Sequence, residues 1–201
     1  MAWEIINHFK ENPNRVRYLD GSIGGWRTTF PHGLLDKDSN LNPTKRYNSG
    51  FKKGSSIAAE IIGRLERDED GKIIEPLYVV AHSMGSAYAK GFLQAIVNFV
   101  KEYPWLCNGL SVSEYDFASF QPEYQEAIEG VDTYQYAHYD DIVAGSEKFK
   151  GATYSSSFAG PMFSLSADPH SLETFKNDIE SLPSGRYVFI NGKPIKFKGN
   201  H

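Results

Sequence analysis

The apolar positions of the chain change period once, sharply, near its middle. Leu77-Tyr78-Val79-Val80-Ala81 is a short apolar run rich in β-branched residues, the pattern of a strand buried on both faces. From Met84 onward, Met84, Ala87, Tyr88, Ala95, Ile96, Phe99, Val100 and Tyr103 recur at three- and four-residue intervals. That spacing predicts one long helix ending at Pro104. The same reading places a short helix over 2–10, on Trp3, Ile5, Ile6 and Phe9, and a turn at Asn12-Pro13-Asn14. Val16 to Leu19 reads as a first strand. Ile57, Ala58, Ile61, Ile62 and Leu65 form the stripe of a helix that Ser55 or Ser56 can cap, closed by the charged, solvated run 67–71. Leu110 to Tyr115 and Val131 to Ala137 read as further strands, with a short helix between them through Ile128. Asp168-Pro169 predicts the start of a last helix with His170 in its first turn. Tyr187 to Ile190, Asn191-Gly192 and Lys193 to Phe197 give a hairpin signal within 186–198.

Strands alternating with helices imply an α/β fold, a mostly parallel sheet flanked by helices, followed by the C-terminal β-hairpin. About four parallel strands are legible, and one domain over 1–201 accounts for the whole chain. Two stretches carry no periodicity. Residues 24–54 are polar and hold Pro31, Gly33, Pro43 and Gly50; over an active site such a loop would be a lid or a pocket wall. Residues 144–167 are small and aromatic, with Phe149, Tyr154, Phe158, Met162 and Phe163, and read as a loop over a pocket or as core beneath the hairpin.

Between the buried strand and the long helix stands Ala81-His82-Ser83-Met84-Gly85. A small-x-Ser-x-Gly pentapeptide is common by itself, and its strand-to-helix context gives it meaning. Such a corner is expected to turn so sharply that the residues two before and two after the serine nearly touch. It would lift the Ser83 hydroxyl above the sheet, at a helix N-terminus that favours negative charge. The stretch resembles the nucleophile elbow of α/β-hydrolases, and within them bacterial lipases, where Ala-His-Ser-x-Gly is a common variant. The usual first hairpin of that fold is missing and the strands are few. The resemblance therefore implies a reduced α/β-hydrolase fold, such as a module of a larger polypeptide would have.

Asp20-Gly21-Ser22-Ile23-Gly24-Gly25 follows the first strand directly, and glycines there free backbone N–H groups to face a ligand. The Gly-Ser pair resembles that of filamentous-fungal-type (class 3) lipases, which implies Ser22 as an oxyanion residue beside the backbone N–H of Met84. A serine nucleophile needs a base and the base needs an acid. In this fold the three follow in the order Ser, acid, His. After Ser83 come only His138, His170 and His201. His170, past the last αβ unit, is the candidate base, and His138 reads as a residue of the pocket or of the layer behind it. His82 neighbours the serine in the strand, so its side chain is expected on the other side. Asp141 is the candidate acid, and its Asp-Ile-Val resembles the Asp-Pro-Val of fungal-type lipases. The plainer reading of Asp140 and Asp141 is a solvated pair. Asp116 is the alternative acid, one strand earlier.

Composition trims the possibilities. The formal net charge of −4 and the lack of a basic stripe argue against nucleic acid as partner. The single cysteine, Cys107, excludes an internal disulfide or a cysteine-based zinc site and reads as a core filler. No run approaches the ~20 apolar residues of a membrane span, and the N-terminus lacks a signal-peptide pattern. The compartment stays open, cytoplasmic by default unless the chain belongs to a larger secreted protein. The expectation is a serine ester hydrolase, lipase- or esterase-like, acting on a lipid or other carboxylic ester, with transient contact to a membrane surface compatible with that substrate. No metal or cofactor is implied. Alternatives with the same triad are an amidase, thioesterase or acyltransferase; a further one is a non-catalytic binding module.

Overall fold

The structure, a computed structural model, describes residues 2–9, 13–21, 43–120, 122–138, 141, 144, 149–158, 170–181, 187–190 and 193–196. Four parallel strands form the sheet in the order β1 (Leu77–His82), β2 (Val112–Phe117), β3 (Asp132–His138) and β4 (Tyr154–Phe158). Helix α3 (Gly85–Glu102) makes the crossover from β1 to β2, as parallel neighbours require. Helix α2 (Pro43–Gly63) lies on α3, and the two pack with Ile73, Cys107, Val112, Ile128 and Val131 into one core. On the opposite face α1 (Ala2–Phe9) and α4 (Lys176–Ser181) cover an aromatic layer of Tyr115, Phe117, Tyr134 and Tyr136, closed by Phe9, Phe175 and Ile179. The fold is thus α/β, with helices on both faces of a parallel sheet. The strands Tyr187–Ile190 (β5) and Lys193–Lys196 (β6) pair antiparallel, apart from it.

The count of four parallel strands agrees with the sequence reading, but their identity does not. Val16 to Leu19 is not a strand. Arg15 donates to the Arg64 carbonyl at 2.8 Å and pairs with Glu66 and Glu75, and Arg17 pairs with Glu60. These contacts hold the segment against the end of α2, and β1 is left as an outer strand of the sheet. The fourth strand is β4, whose Tyr-Ser-Ser-Ser-Phe reads as loop because serines replace the expected apolar alternation.

The expected 24–54 loop is cut short as well. Residues 22–42 lie outside the described residues, while 43–54 are helical, so Ser55 and Ser56 sit inside α2 and do not cap it. Pro43 occupies the first helical position, where its missing N–H costs nothing. The first half of α2 meets α3 through glycines. A β-carbon on Gly50 would stand 1.9 Å from the Tyr88 carbonyl oxygen, and one on Gly91 1.8 Å from that of Tyr47. Backbones in such close contact leave no apolar stripe to read.

Candidate active site

Ser83 follows β1 directly with φ at +55°, a left-handed conformation that costs a non-glycine residue about 1–2 kcal/mol. Its backbone is fixed from several sides. The N–H donates to the Phe117 carbonyl at 3.0 Å, and the carbonyl accepts from Ser86 N–H at 3.2 Å, Phe120 N–H at 3.2 Å and the Ser86 hydroxyl. Ala118, the other described non-glycine residue with positive φ (+48°), turns the chain so that Phe120 reaches Ser83. Strain persists where neighbours over-determine it, and here they do.

The expected need for a small residue at 85 is not seen: a β-carbon on Gly85 would meet nothing within 4 Å among the described residues. The tight neighbour is Gly21, whose added β-carbon would lie 2.8 Å from the Gly85 α-carbon. Arg46, 1% exposed, donates from Nη1 to the Gly21 carbonyl at 2.7 Å. Gly21 therefore sits on the start of α3, against Gly85 two residues after Ser83. Ser22 itself lies outside the described residues. Met84 is the residue at the N-cap of α3, with helical φ of −64°.

His170 stands between Ser83 and Asp141. Its Nδ1 lies 2.7 Å from Asp141 Oδ2 and its Nε2 2.6 Å from Ser83 Oγ. An ionised carboxylate only accepts, so Nδ1 carries the proton and donates to Asp141; Nε2 then keeps its lone pair and accepts from the serine hydroxyl. Asp141 is 2% exposed, and its Oδ1 accepts from the Ala144 N–H at 3.1 Å. It is no solvated strand-end residue; Asp140 lies outside the described residues. His170 is not in the first turn of a helix as expected. It precedes a short 3-10 turn, Leu172–Phe175, capped by Ser171, and α4 begins only at Lys176; Asp168 and Pro169 lie outside the described residues.

Asp116 is not available to this group. It lies inside β2, fully buried, with Oδ2 accepting from Lys90 Nζ at 3.1 Å. His138 is 1% exposed, edge-on to the Phe175 ring at 4.2 Å, with Nε2 3.5 Å from Thr174 Oγ1. It packs against Phe175 and Thr174 behind the His170 turn and is not among the residues lining the cavity at Ser83. His201 lies outside the described residues. His82 corrects the sequence reading. Its ring does take the aromatic face of the sheet, but the His170 turn lies on that face too, and His82 Nε2 comes within 2.8 Å of the His170 carbonyl oxygen. Strand alternation alone could not reveal this, because it says nothing of what packs beyond the strand end.

A cavity of about 650 Å³ opens at Ser83 and Met84 and runs between β1 and residues 14–19. Its walls include Phe9, Val16, Leu19, Val80, Tyr88 and Phe92. Of the aromatic stretch expected to line a pocket, the described side chains of Phe149 and Tyr154 do not line this one. Phe149 is buried under Lys90 Nζ, 4.0 Å from the ring centre, and Tyr154 is 47% exposed on the outer strand β4. Phe158 ends β4, and Met162 and Phe163 lie outside the described residues. Among the described residues no three His, Cys, Asp or Glu side chains gather as a metal site needs. No protein-family model, no curated protein and no solved structure matches this chain.

Proposed function

We propose that the chain is a serine hydrolase of carboxylic esters, of the lipase-like α/β-hydrolase type, working through an acyl-enzyme. The observation that carries the reading is His170 hydrogen-bonded at once to Ser83 Oγ and to buried Asp141. Ser83 Oγ attacks the acyl carbonyl while its proton passes to His170 Nε2. Asp141 holds the imidazole in the Nδ1–H tautomer and stabilises the imidazolium. Charge gathers on the former carbonyl oxygen, which the N–H of Met84 and the start of α3 would stabilise, with Ser22 as the second donor. Collapse breaks the ester C–O bond, and the leaving alkoxide takes the proton from His170. Water then repeats the sequence, activated by His170, and releases the acid and free Ser83.

A largely apolar cavity beginning at the serine, with Arg15, Arg17, Arg64 and Glu75 also on its walls, supports an apolar acyl group. Each methylene buried there contributes about 0.8 kcal/mol, so kcat/KM should climb across a p-nitrophenyl ester series from acetate to octanoate. A preference for acetate would replace the lipase-like reading with a small-ester esterase. The decisive test is a fluorophosphonate: one adduct is expected, mapped by peptide mass to Ser83, and Ser83→Ala should lose both adduct and turnover. An adduct elsewhere, or none on the folded protein, overturns the proposal.

A further inference from the structure

We infer that His82 is a positioning residue for His170, holding the backbone of that residue to the end of the elbow strand through a hydrogen bond from its ring to the His170 carbonyl. The inference rests on the proposed role of His170. A carbonyl oxygen only accepts, so at 2.8 Å the His82 Nε2 must carry the hydrogen and donate it. The two rings lie 5.3 Å apart between centres, tilted by 44°. Burial pushes the His82 pKa down, and the neighbouring His170 adds to that, against the bond to the carbonyl. The neutral Nε2–H tautomer is therefore the form that makes the contact.

The consequence is geometric. His170 is tied by its side chain to Ser83 and by its main chain to His82, two consecutive residues of one chain segment. That segment is itself fixed, because β1 is paired to β2 along its length up to His82 opposite Phe117. The side-chain bonds alone would let the imidazole follow any drift of its backbone. With the carbonyl anchored, base and nucleophile move together. A displacement of about 1 Å in such a pair can cost around 10²-fold in rate.

The test uses two substitutions and one spectrum. His82→Phe keeps a ring of similar volume without the donor, and His82→Gln restores an N–H at comparable reach. Relative to wild type, His82→Phe should lower kcat by about 10- to 10²-fold with KM little changed, and His82→Gln should recover most of it. The low-field proton of the His170–Asp141 bond should be sharp in wild type and in His82→Gln, and broadened in His82→Phe. A role in packing alone would lower thermal stability, without separating kcat from KM and without rescue by glutamine. Nitrogen–proton correlation spectra of the wild-type imidazoles should report His82 as the Nε2–H tautomer. An Nδ1–H tautomer, or His82→Phe with wild-type kcat and an unchanged low-field signal, overturns the inference. If His82→Phe does not fold, the wild-type tautomer and His82→Gln decide it. Wild-type protein that neither turns over esters nor takes the fluorophosphonate fails the hydrolase reading instead, and the tautomer still tests the bond.

Discussion

Two aspartates in this chain are equally hidden from water and differently employed. Asp116 is 0% exposed and Asp141 2%, so burial does not tell them apart, and both are candidate acids in the sequence. Their partners separate them. Asp116 shares Lys90 with Glu114, whose carboxylate also accepts from Thr133 Oγ1 at 3.1 Å. Three buried charges there leave one cation facing two carboxylates. Burial pushes Glu114 up to about 7 despite Lys90, and burial would lower Lys90, but two carboxylates outweigh it and raise it. Below about pH 7 the set moves toward neutrality by holding a proton on Glu114. Asp141 faces His170, which carries a proton on one side and touches a hydroxyl on the other. A buried carboxylate marks a candidate site when its partner is titratable and reaches a nucleophile; opposite a lysine it marks a structural cluster.

The largest effect should come from exchanging the two aspartates' neutral analogues. Asp141→Asn is expected to lower kcat by roughly 10² to 10⁴, through loss of the right imidazole tautomer. Asp116→Asn should leave kcat close to wild type. Steady-state kinetics on one chromogenic ester decide it, and a reversed ranking would move the acid into the lysine cluster. The next effect is on stability. Lys90→Met strips the cation shared by two buried carboxylates, which should cost about 3–5 kcal/mol in urea unfolding. Activity per fluorophosphonate-titrated site should hold. A fall in kcat matching that of Asp141→Asn would erase the distinction between the two regions.

Much of the proposed site was legible because it depends on local order. The strand before Ser83 reads as an apolar run, although it is an outer strand with Val80 38% exposed and not buried on both faces as expected. The helix after it keeps its period, and the order Ser, acid, His that the hydrolase resemblance implies leaves few histidines to choose from. What stayed hidden depends on contacts distant in sequence. Lys90 sits in a helix where lysine usually means surface, and nothing local announces Glu114 and Asp116 beneath it. The first half of α2 packs Gly50 and Gly54 against the backbone of α3, with Tyr47 on the core, so that side shows no regular apolar stripe to count. The Val16 to Leu19 run has strand composition, yet Arg15 and Arg17 tie it to α2 instead of to β1. Strand alternation gives the face of His82, but its neighbour on that face is residue 170, 88 positions away.

The smallest expected effect tests the charge count of the lysine cluster directly. Glu114 has a folded pKa of about 7, above its ordinary 4.5. Between those values the folded protein keeps a proton that the unfolded chain has released. Stability from this group is therefore full below pH 4.5 and lost as pH rises through the window to about 7, with no further change above it. Asp178, pushed up to about 6 by burial, acts in the same direction but is common to wild type and a Glu114 variant. Glu114→Gln has no proton to lose, and its amide oxygen can still accept from Lys90 and Thr133. Urea unfolding of both proteins at about pH 5 and about pH 8 should show wild type losing ground to the variant, by roughly 1–3 kcal/mol at about 1.4 kcal/mol per pKa unit. Parallel curves would mean that Glu114 is ionised across the range. Lys90 would then hold two charged carboxylates, and only the identity of the partner would distinguish Asp116 from Asp141.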